Sequence, residues 1–268
     1  MRHLWTAWQG IEEQIRGAGH VMLFSDFDGT LCPIVARPEL AEFPEATKRW
    51  LRLLADNPRV DVAIISGRAL PDLKSRVGIE GLTYAGNHGL EIMGPSVTFV
   101  HPVAEETRPV MGGLYRDLSR ALQSFTGIII EDKGLTLSIH YRLLDKARVG
   151  QFKDAFNRFM EEAGAAGGIL VTAGKMVYEI RPAVEWNKGQ ALKMLVEAGP
   201  KRNRPNPLTM FLGDDWTDED GFKAVRRTGG VSVFVGERVD DRSAKYFLKS
   251  PGEVAVLLQK LCRAVGVG

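Results

Sequence analysis

Cysteine is nearly missing from this chain: Cys32 and Cys262 are the two among 268 residues. Two thiols so far apart build no disulfide framework and lack the paired spacing of a zinc site, so a reducing compartment is expected. No apolar stretch is long enough to span a bilayer. The segment from Met1 to His20 alternates Trp, Ile and charged residues like an amphipathic helix, without the uninterrupted apolar centre of a signal peptide. A cytoplasmic protein with no membrane partner is expected. Charge of one sign is also in short supply. Thirty-five basic residues stand among 33 acidic ones for a formal net charge of +2. The densest basic stretch, Lys201-Arg202-Asn203-Arg204, is short and suits a solvated loop, which argues against a nucleic-acid partner.

What is present is ordinary for a folded globule, 44% apolar and 25% charged. The length suits one domain with a large insertion, or two domains. Short apolar runs at Val21 to Phe24, Val60 to Ile65 and Leu208 to Leu212 each end in small or polar residues, as buried strands of a parallel sheet do, and Val231 to Val235 suits a neighbouring strand. Helical stretches lie between them, at Glu45 to Asp56, Asn187 to Ala198, Asp218 to Arg226 and Gly252 to Val265. The alternation predicts an α/β fold, a Rossmann-like doubly wound parallel sheet. Between about Ala104 and Pro182 the pattern changes to helix, strand, strand, helix, strand, strand, which predicts an inserted α+β unit. The expected organisation is a core at 1–103 and 183–268 with the insertion at 104–182. In the insertion, Leu135, Leu137, Ile139 and Tyr141 alternate with Thr136, Ser138, His140 and Arg142, and Met176, Tyr178 and Ile180 with Lys175, Val177, Glu179 and Arg181. One sheet face should therefore pack on helices while the other is polar, either solvated or turned to a ligand.

Ligands of open α/β sheets bind beyond the carboxyl ends of the strands. The first run delivers Asp26 and Asp28 into a turn opened by Gly29. Two carboxylates at the end of a buried strand need a cation or a proton, and magnesium would serve. Asp26 is then a candidate nucleophile on phosphorus and Asp28 a candidate acid and base. Gly29 would let backbone amides approach a phosphate, and Thr30 would add a hydroxyl; a helix-capping turn is the plain alternative. The second run ends in Ser66-Gly67-Arg68, placed to receive a phosphate oxygen at a helix start or simply to cap that helix. Lys188 opens the first helix after the insertion and is a candidate partner of both phosphate and Asp26. The third run ends in Gly213-Asp214-Asp215-Trp216-Thr217-Asp218-Glu219-Asp220. Such acidic density after an apolar strand favours cation binding over a surface loop. Asp26, the Asp28 carbonyl and Asp214 are the candidate metal ligands, with Asp215 and Asp218 behind them orienting Lys188 or a metal-bound water.

Together DFDGT, the Ser66 of IISGR, the Lys188 of NKGQAL and GDDWTDED resemble the four motifs of the haloacid dehalogenase superfamily, and the insertion resembles that superfamily's αββαββ cap. GNHG (Gly86 to Gly89), EDK (Glu131 to Lys133), HYR (His140 to Arg142) and the Lys175 to Pro182 strand narrow the resemblance to the trehalose-6-phosphate phosphatase family. Phe27 stands where that family often has Tyr. The resemblance implies Mg²⁺-dependent hydrolysis of trehalose 6-phosphate, with a cap that closes over the disaccharide. It also implies that Arg68, His88, Glu131, Lys133, Arg142, Lys175 and Glu179 contact the sugar. With no glycosyltransferase module before the phosphatase motifs, a separate trehalose-6-phosphate synthase is the expected pathway partner. Sucrose 6-phosphate and glycosyl 3-phosphoglycerate remain alternative substrates. A phospho-acceptor signalling domain shares the strand-end Asp, hydroxyl and Lys, but it has no use for an acid at Asp28.

Overall fold

The computed structural model describes residues 1–35, 42–164, 168–174, 176–198, 207–237 and 242–267; Lys175 and the stretch from Lys201 to Arg204 lie outside the described residues. The chain opens with β1 (Arg2–His3), α1 (Trp8–Gly17), β2 (Val21–Ser25), α2 (Glu45–Ala55), β3 (Val60–Ile65), α3 (Leu70–Val77), β4 (Thr83–Gly86), β5 (Glu91–Gly94) and β6 (Val97–Val100). There follow α4 (Pro102–Ala121), β7 (Ile129–Asp132), β8 (Leu137–His140), α5 (Val149–Gly164), β9 (Ile169–Gly174) and β10 (Val177–Pro182). The last stretch is α6 (Lys188–Ala198), β11 (Leu208–Gly213), α7 (Glu219–Arg227), β12 (Val231–Val235), β13 (Tyr246–Leu248) and α8 (Pro251–Ala264). These elements form two compact units, Met1–Phe99 with Trp186–Gly268, and Val100–Glu185. Among the described residues no helix is long and apolar enough to cross a membrane.

The first unit is built on one sheet in the order β1-β13-β12-β11-β2-β3-β4-β5-β6, parallel from β1 to β4, with β5 antiparallel to β4. Its central strands are predominantly apolar because both faces are covered, with Ser25, Thr209 and Ser232 as buried polar exceptions and Asp61 as an exposed one. Val21 and Leu23 of β2 join Val62, Met210 and Val233 against Ile15, Leu51 and Leu257 of α1, α2 and α8. Met22 and Phe24 point the other way, into Leu192, Phe211 and Phe222 beside α6 and α7. Each such side chain, fully buried, contributes about 1.5–3 kcal/mol. The expected helix from Met1 to His20 is shorter than its periodicity suggested. Arg2 and His3 pair with Tyr246 and Phe247 of β13, Leu4–Ala7 is a 3₁₀ turn, and the α-helix starts at Trp8. The open edge of β13 supplies unpaired backbone groups, and pairing them outweighs one more helical turn.

The second unit is a four-stranded antiparallel sheet, β7-β8-β10-β9, with two helices. Leu137, Ile139 and Ile180 pack with Met111 and Leu118 of α4 and Phe152 and Phe156 of α5. Register places Glu131 opposite Ser138, Ser138 opposite Glu179, and Glu179 opposite Thr172. These four form one polar row across the sheet, on the face opposite the apolar one.

Candidate active site

From β2 the chain passes to β3 and β4 on one side of the sheet and later to β11 and β12 on the other, so the carboxyl end of β2 lies at the switch point where open sheets leave a crevice. Asp26 is the first residue beyond β2, its N–H donating to the Leu212 carbonyl at 2.9 Å, its side chain buried. Lys188, at the start of α6, is 3% exposed, and its Nζ donates to Asp26 Oδ1 and to Asp218 Oδ1, both at 2.7 Å. Asp218 is fully buried, and its Oδ2 accepts the amides of Asp214 and Asp215 at 3.0 and 3.1 Å. One side chain thus folds the acidic turn and aims the lysine. Asp215 turns to Thr217, accepting its amide at 2.8 Å and its hydroxyl at 2.6 Å.

Around this hub several expected phosphate contacts are engaged otherwise. The Gly29 amide donates to the Cys32 carbonyl at 2.8 Å, which closes the turn. Glycine is needed there for space: with φ +82, a Cβ would stand 2.1 Å from Asp214 Oδ2. The Thr30 hydroxyl, fully buried, donates to Asp214 Oδ1 at 3.4 Å. Ser66 does not cap a helix; α3 begins at Leu70 with Ala69 at its N-cap, and Ser66 Oγ accepts the Arg68 amide at 3.2 Å. The intervening residues form a loop because Ser66 and Arg68 also bind the turn beyond β4, through His88 N to Ser66 O at 2.9 Å and Asn87 N to Arg68 O at 2.8 Å. Arg68 itself is buried against Asp28, with Nε donating to Oδ2 at 2.6 Å and Nη2 to Oδ1 at 2.7 Å.

That turn carries three successive positive φ angles, Asn87 at 49°, His88 at 59° and Gly89 at 93°. Left-handed Asn and His cost about 1 kcal/mol each and persist only where the surroundings impose them. Here Glu91 Oε1 accepts both Asn87 Nδ2 at 2.8 Å and the Leu70 amide at 3.0 Å, and Trp186 Nε1 donates to Gly89 O at 2.8 Å. The His88 ring is lodged against Gly67, where any Cβ would meet Cε1 at 2.7 Å. Asn87 enters the sequence reading only as a member of the GNHG motif, and Glu91 was not singled out; an Asn between two glycines, four residues before a Glu, was the available sign.

Electrostatics make the cluster short of positive charge. Burial, only partly offset by Lys188, raises the Asp26 carboxyl well above its ordinary range, and the charges of Asp218, Asp214 and Asp215 raise it further. Asp214 is pushed up to about 7 by burial and then by Asp218 and Asp215. Asp218 is raised as well, chiefly by burial, whereas Lys188 is held well above its usual value by Asp218, Asp26 and Asp215 in spite of burial. Asp26, Asp214 and Asp218 each bring a carboxylate oxygen within 4.8 Å of the others. Asp218 accepts three hydrogen bonds, one from Lys188 and two from backbone amides, so Asp26 and Asp214 have more acceptor capacity to offer a cation. An all-oxygen set with surplus negative charge fits a hard divalent ion such as Mg²⁺.

In the second unit, Lys133 Nζ lies 4.0 Å from Glu131 Oε2 and 3.7 Å from Glu179 Oε1, bridging the two glutamates that flank Ser138. His140 Nε2 is 3.2 Å from Glu131 Oε2, and Arg142 is exposed. The structure thus brings Glu131, Lys133 and Glu179 together.

A switch-point strand that leads into Asp26, a buried lysine shared by two aspartates and an αββαββ insertion are features of the haloacid dehalogenase class. The family profile described as trehalose-phosphatase matches residues 24–252, and the chain belongs to that family. It is 35% identical over 245 residues to probable trehalose-phosphate phosphatase 4 of Oryza sativa subsp. japonica, an alignment covering 90% of this chain and 65% of the rice protein. It is 32% identical over 260 residues to trehalose 6-phosphate phosphatase RA3 of Zea mays, covering 92% and 71%. Among solved structures, the C-terminal domain of the C. albicans trehalose-6-phosphate phosphatase superposes with a TM-score of 0.76 at 25% identity, covering 97% of each chain. The chain therefore spans about two thirds of the length of the curated plant relatives.

Proposed function

We propose that this chain hydrolyses trehalose 6-phosphate to trehalose and phosphate, the last step of trehalose synthesis, through an aspartyl-phosphate on Asp26. The observation that carries the reading is Lys188, buried between Asp26 and Asp218 with Asp28 two residues beyond the nucleophile. The Asp26 carboxylate forms a bond to phosphorus as the bond to the sugar oxygen breaks, and Asp28 gives that oxygen its proton. Water then attacks the same phosphorus, Asp28 takes a proton back, and the acyl phosphate bond opens to release phosphate. Lys188 balances charge on Asp26 and on the phosphoryl group throughout, and Asp218 keeps it pointed.

Asp26, Asp214 and the Asp28 carbonyl are the groups that would hold Mg²⁺. When bound, the ion would neutralise the crowded carboxylates and polarise the phosphoryl oxygens. Without it, Asp214 carries a folded-state value above its unfolded one, so its burden on stability is absent below 3.8, grows as pH rises to about 7 and is complete above that. Mg²⁺ should therefore raise the thermal midpoint of the chelator-stripped protein more at about pH 8 than at about pH 5. An equal rise at both pH values would remove the ion from these carboxylates.

The polar row of the second unit is the part suited to sugar hydroxyls, as two carboxylates with an ammonium 4.0 and 3.7 Å from them form a donor and acceptor comb. The names of the relatives support a disaccharide phosphate as its ligand. The two buried thiols, Cys32 and Cys262, suit a cytoplasmic setting, where a separate synthase would supply the substrate. Phosphate release should be fastest from trehalose 6-phosphate in a panel that also holds sucrose 6-phosphate and glucosyl 3-phosphoglycerate. Glu131→Ala should cut that rate about 10²-fold while changing turnover of para-nitrophenyl phosphate by less than about threefold. Preference for another panel member would replace the substrate, and equal losses on sugar and aryl phosphate would remove Glu131 from the sugar site.

A further inference from the structure

Asp28 is the proton carrier of both half-reactions proposed above, so its carboxylate has to be aimed, and the residue in position to aim it is Arg68. The guanidinium meets both carboxylate oxygens in the side-by-side geometry that fixes direction as well as distance. Each carboxylate oxygen has two lone pairs, so this fork occupies one on each and leaves another for the travelling proton. The fork is itself held. Nη1 donates to Asp72 Oδ2 at 2.8 Å, Arg76 Nε donates to Asp72 Oδ1 at 2.9 Å, and the guanidinium lies 5.6 Å over the Phe27 ring. Burial would lift the Asp72 carboxyl, but the bonds from Arg76 and Arg68 outweigh it and hold the group below its usual range. The Arg68 side chain is 7% exposed, whereas Asp28 and Asp72 are 38% and 35% exposed. An arginine that grips sugar hydroxyls has to present donors to the ligand; this one is buried and gives three of its five N–H groups to two carboxylates.

We infer that Arg68 is the positioning residue for Asp28 and not a sugar contact, with Asp72 and Phe27 fixing Arg68 in turn. The inference rests on the aspartyl-phosphate reading of the site but not on the identity of the sugar. Arg68→Lys keeps the charge and loses the fork. It is expected to lower kcat on trehalose 6-phosphate about 10²-fold with KM changed less than about threefold. On para-nitrophenyl phosphate, whose leaving group needs less protonation, the loss should be about tenfold. Asp72→Asn should give the same split on a smaller scale, and it carries the test if Arg68→Lys does not fold. In an Asp28→Asn background, Arg68→Lys should change the remaining aryl phosphate turnover by less than about twofold, because the group it aims is gone. A rise in KM confined to the sugar phosphate would restore Arg68 to the sugar site and overturn the inference. Losses of equal size with and without Asp28 would overturn it too, by making Arg68 a general support of the fold. If trehalose 6-phosphate is not turned over but the aryl phosphate is, the substrate assignment fails while the aryl comparison still decides the role of Arg68.

Discussion

Asp26→Asn should abolish turnover, by a factor on the order of 10⁴–10⁶, while leaving a folded protein. The amide has nearly the shape of the carboxylate and fits the same buried site, but it cannot form an acyl phosphate. The fold should tolerate the change because Lys188 keeps Asp218 as its ion-pair partner at 2.7 Å. It also removes a carboxyl whose own protonation is driven up by burial and by three neighbouring aspartates. In the absence of metal at neutral pH, the thermal midpoint of Asp26→Asn should therefore equal or exceed that of the unsubstituted chain. The measurement pairs a phosphate-release assay with a melting curve on the same preparation. Near-normal turnover would remove Asp26 as the nucleophile. A collapsed melting curve would show that the carboxylate supports the structure, through Lys188, more than its neighbours burden it.

The parts of this arrangement legible in the sequence were those written in short-range pattern. Strand β3 runs from Val60 to Ile65, the bounds its apolar run suggested, because a strand covered on both faces over most of its length leaves a strong apolar signal, interrupted here only at exposed Asp61. The polar row of the second unit followed from period-two alternation around Ser138. Strands β1 and β13, of two and three residues, are too short to show any period, and pairing with partners far along the chain defines them. At the site, the residue types were legible but several partners were not. Gly29 reads as a glycine that frees a turn for phosphate, yet the reason for it is the carboxylate of Asp214, 185 positions away and within 2.1 Å of any Cβ. The Arg68 side chain is long enough to serve a ligand or a neighbour, and only the fold brings Asp28 and Asp72 to it. Lys188 gives a weak signal alone, since most lysines are solvated, and it became legible only beside the strand-end aspartates at Asp26 and Asp214 to Asp218; the fold then buries it between Asp26 and Asp218.

Lys188→Met gives the other large effect expected, and it separates the lysine's two tasks. Met fills much of the same volume, so the loss is one of charge in a buried place. Asp26 and Asp218 would be left facing Asp214 and Asp215 with no cation, and breaking a buried ion pair from one side typically costs about 3–5 kcal/mol. The cost should depend on pH with a definite sign. Lys188 lowers the carboxyls of Asp26 and Asp218, both already raised chiefly by burial, so its removal lifts their folded-state values further. Groups raised in the folded state weigh on stability only above their unfolded value, so the melting points of Lys188→Met and the unsubstituted chain should converge near about pH 4 and separate as pH rises. Added Mg²⁺ should recover part of the stability, because it supplies positive charge beside Asp26 and Asp214. It should not recover turnover, which is expected to fall about 10²–10³-fold or more for want of a fixed charge at the phosphoryl group. Melting curves across pH with and without Mg²⁺, set beside kcat on trehalose 6-phosphate and on an aryl phosphate, test both halves. A stability loss independent of pH would mean that Lys188 supports packing and not charge. A variant stable in Mg²⁺ and fully active would place the charge that meets the phosphoryl group on another residue.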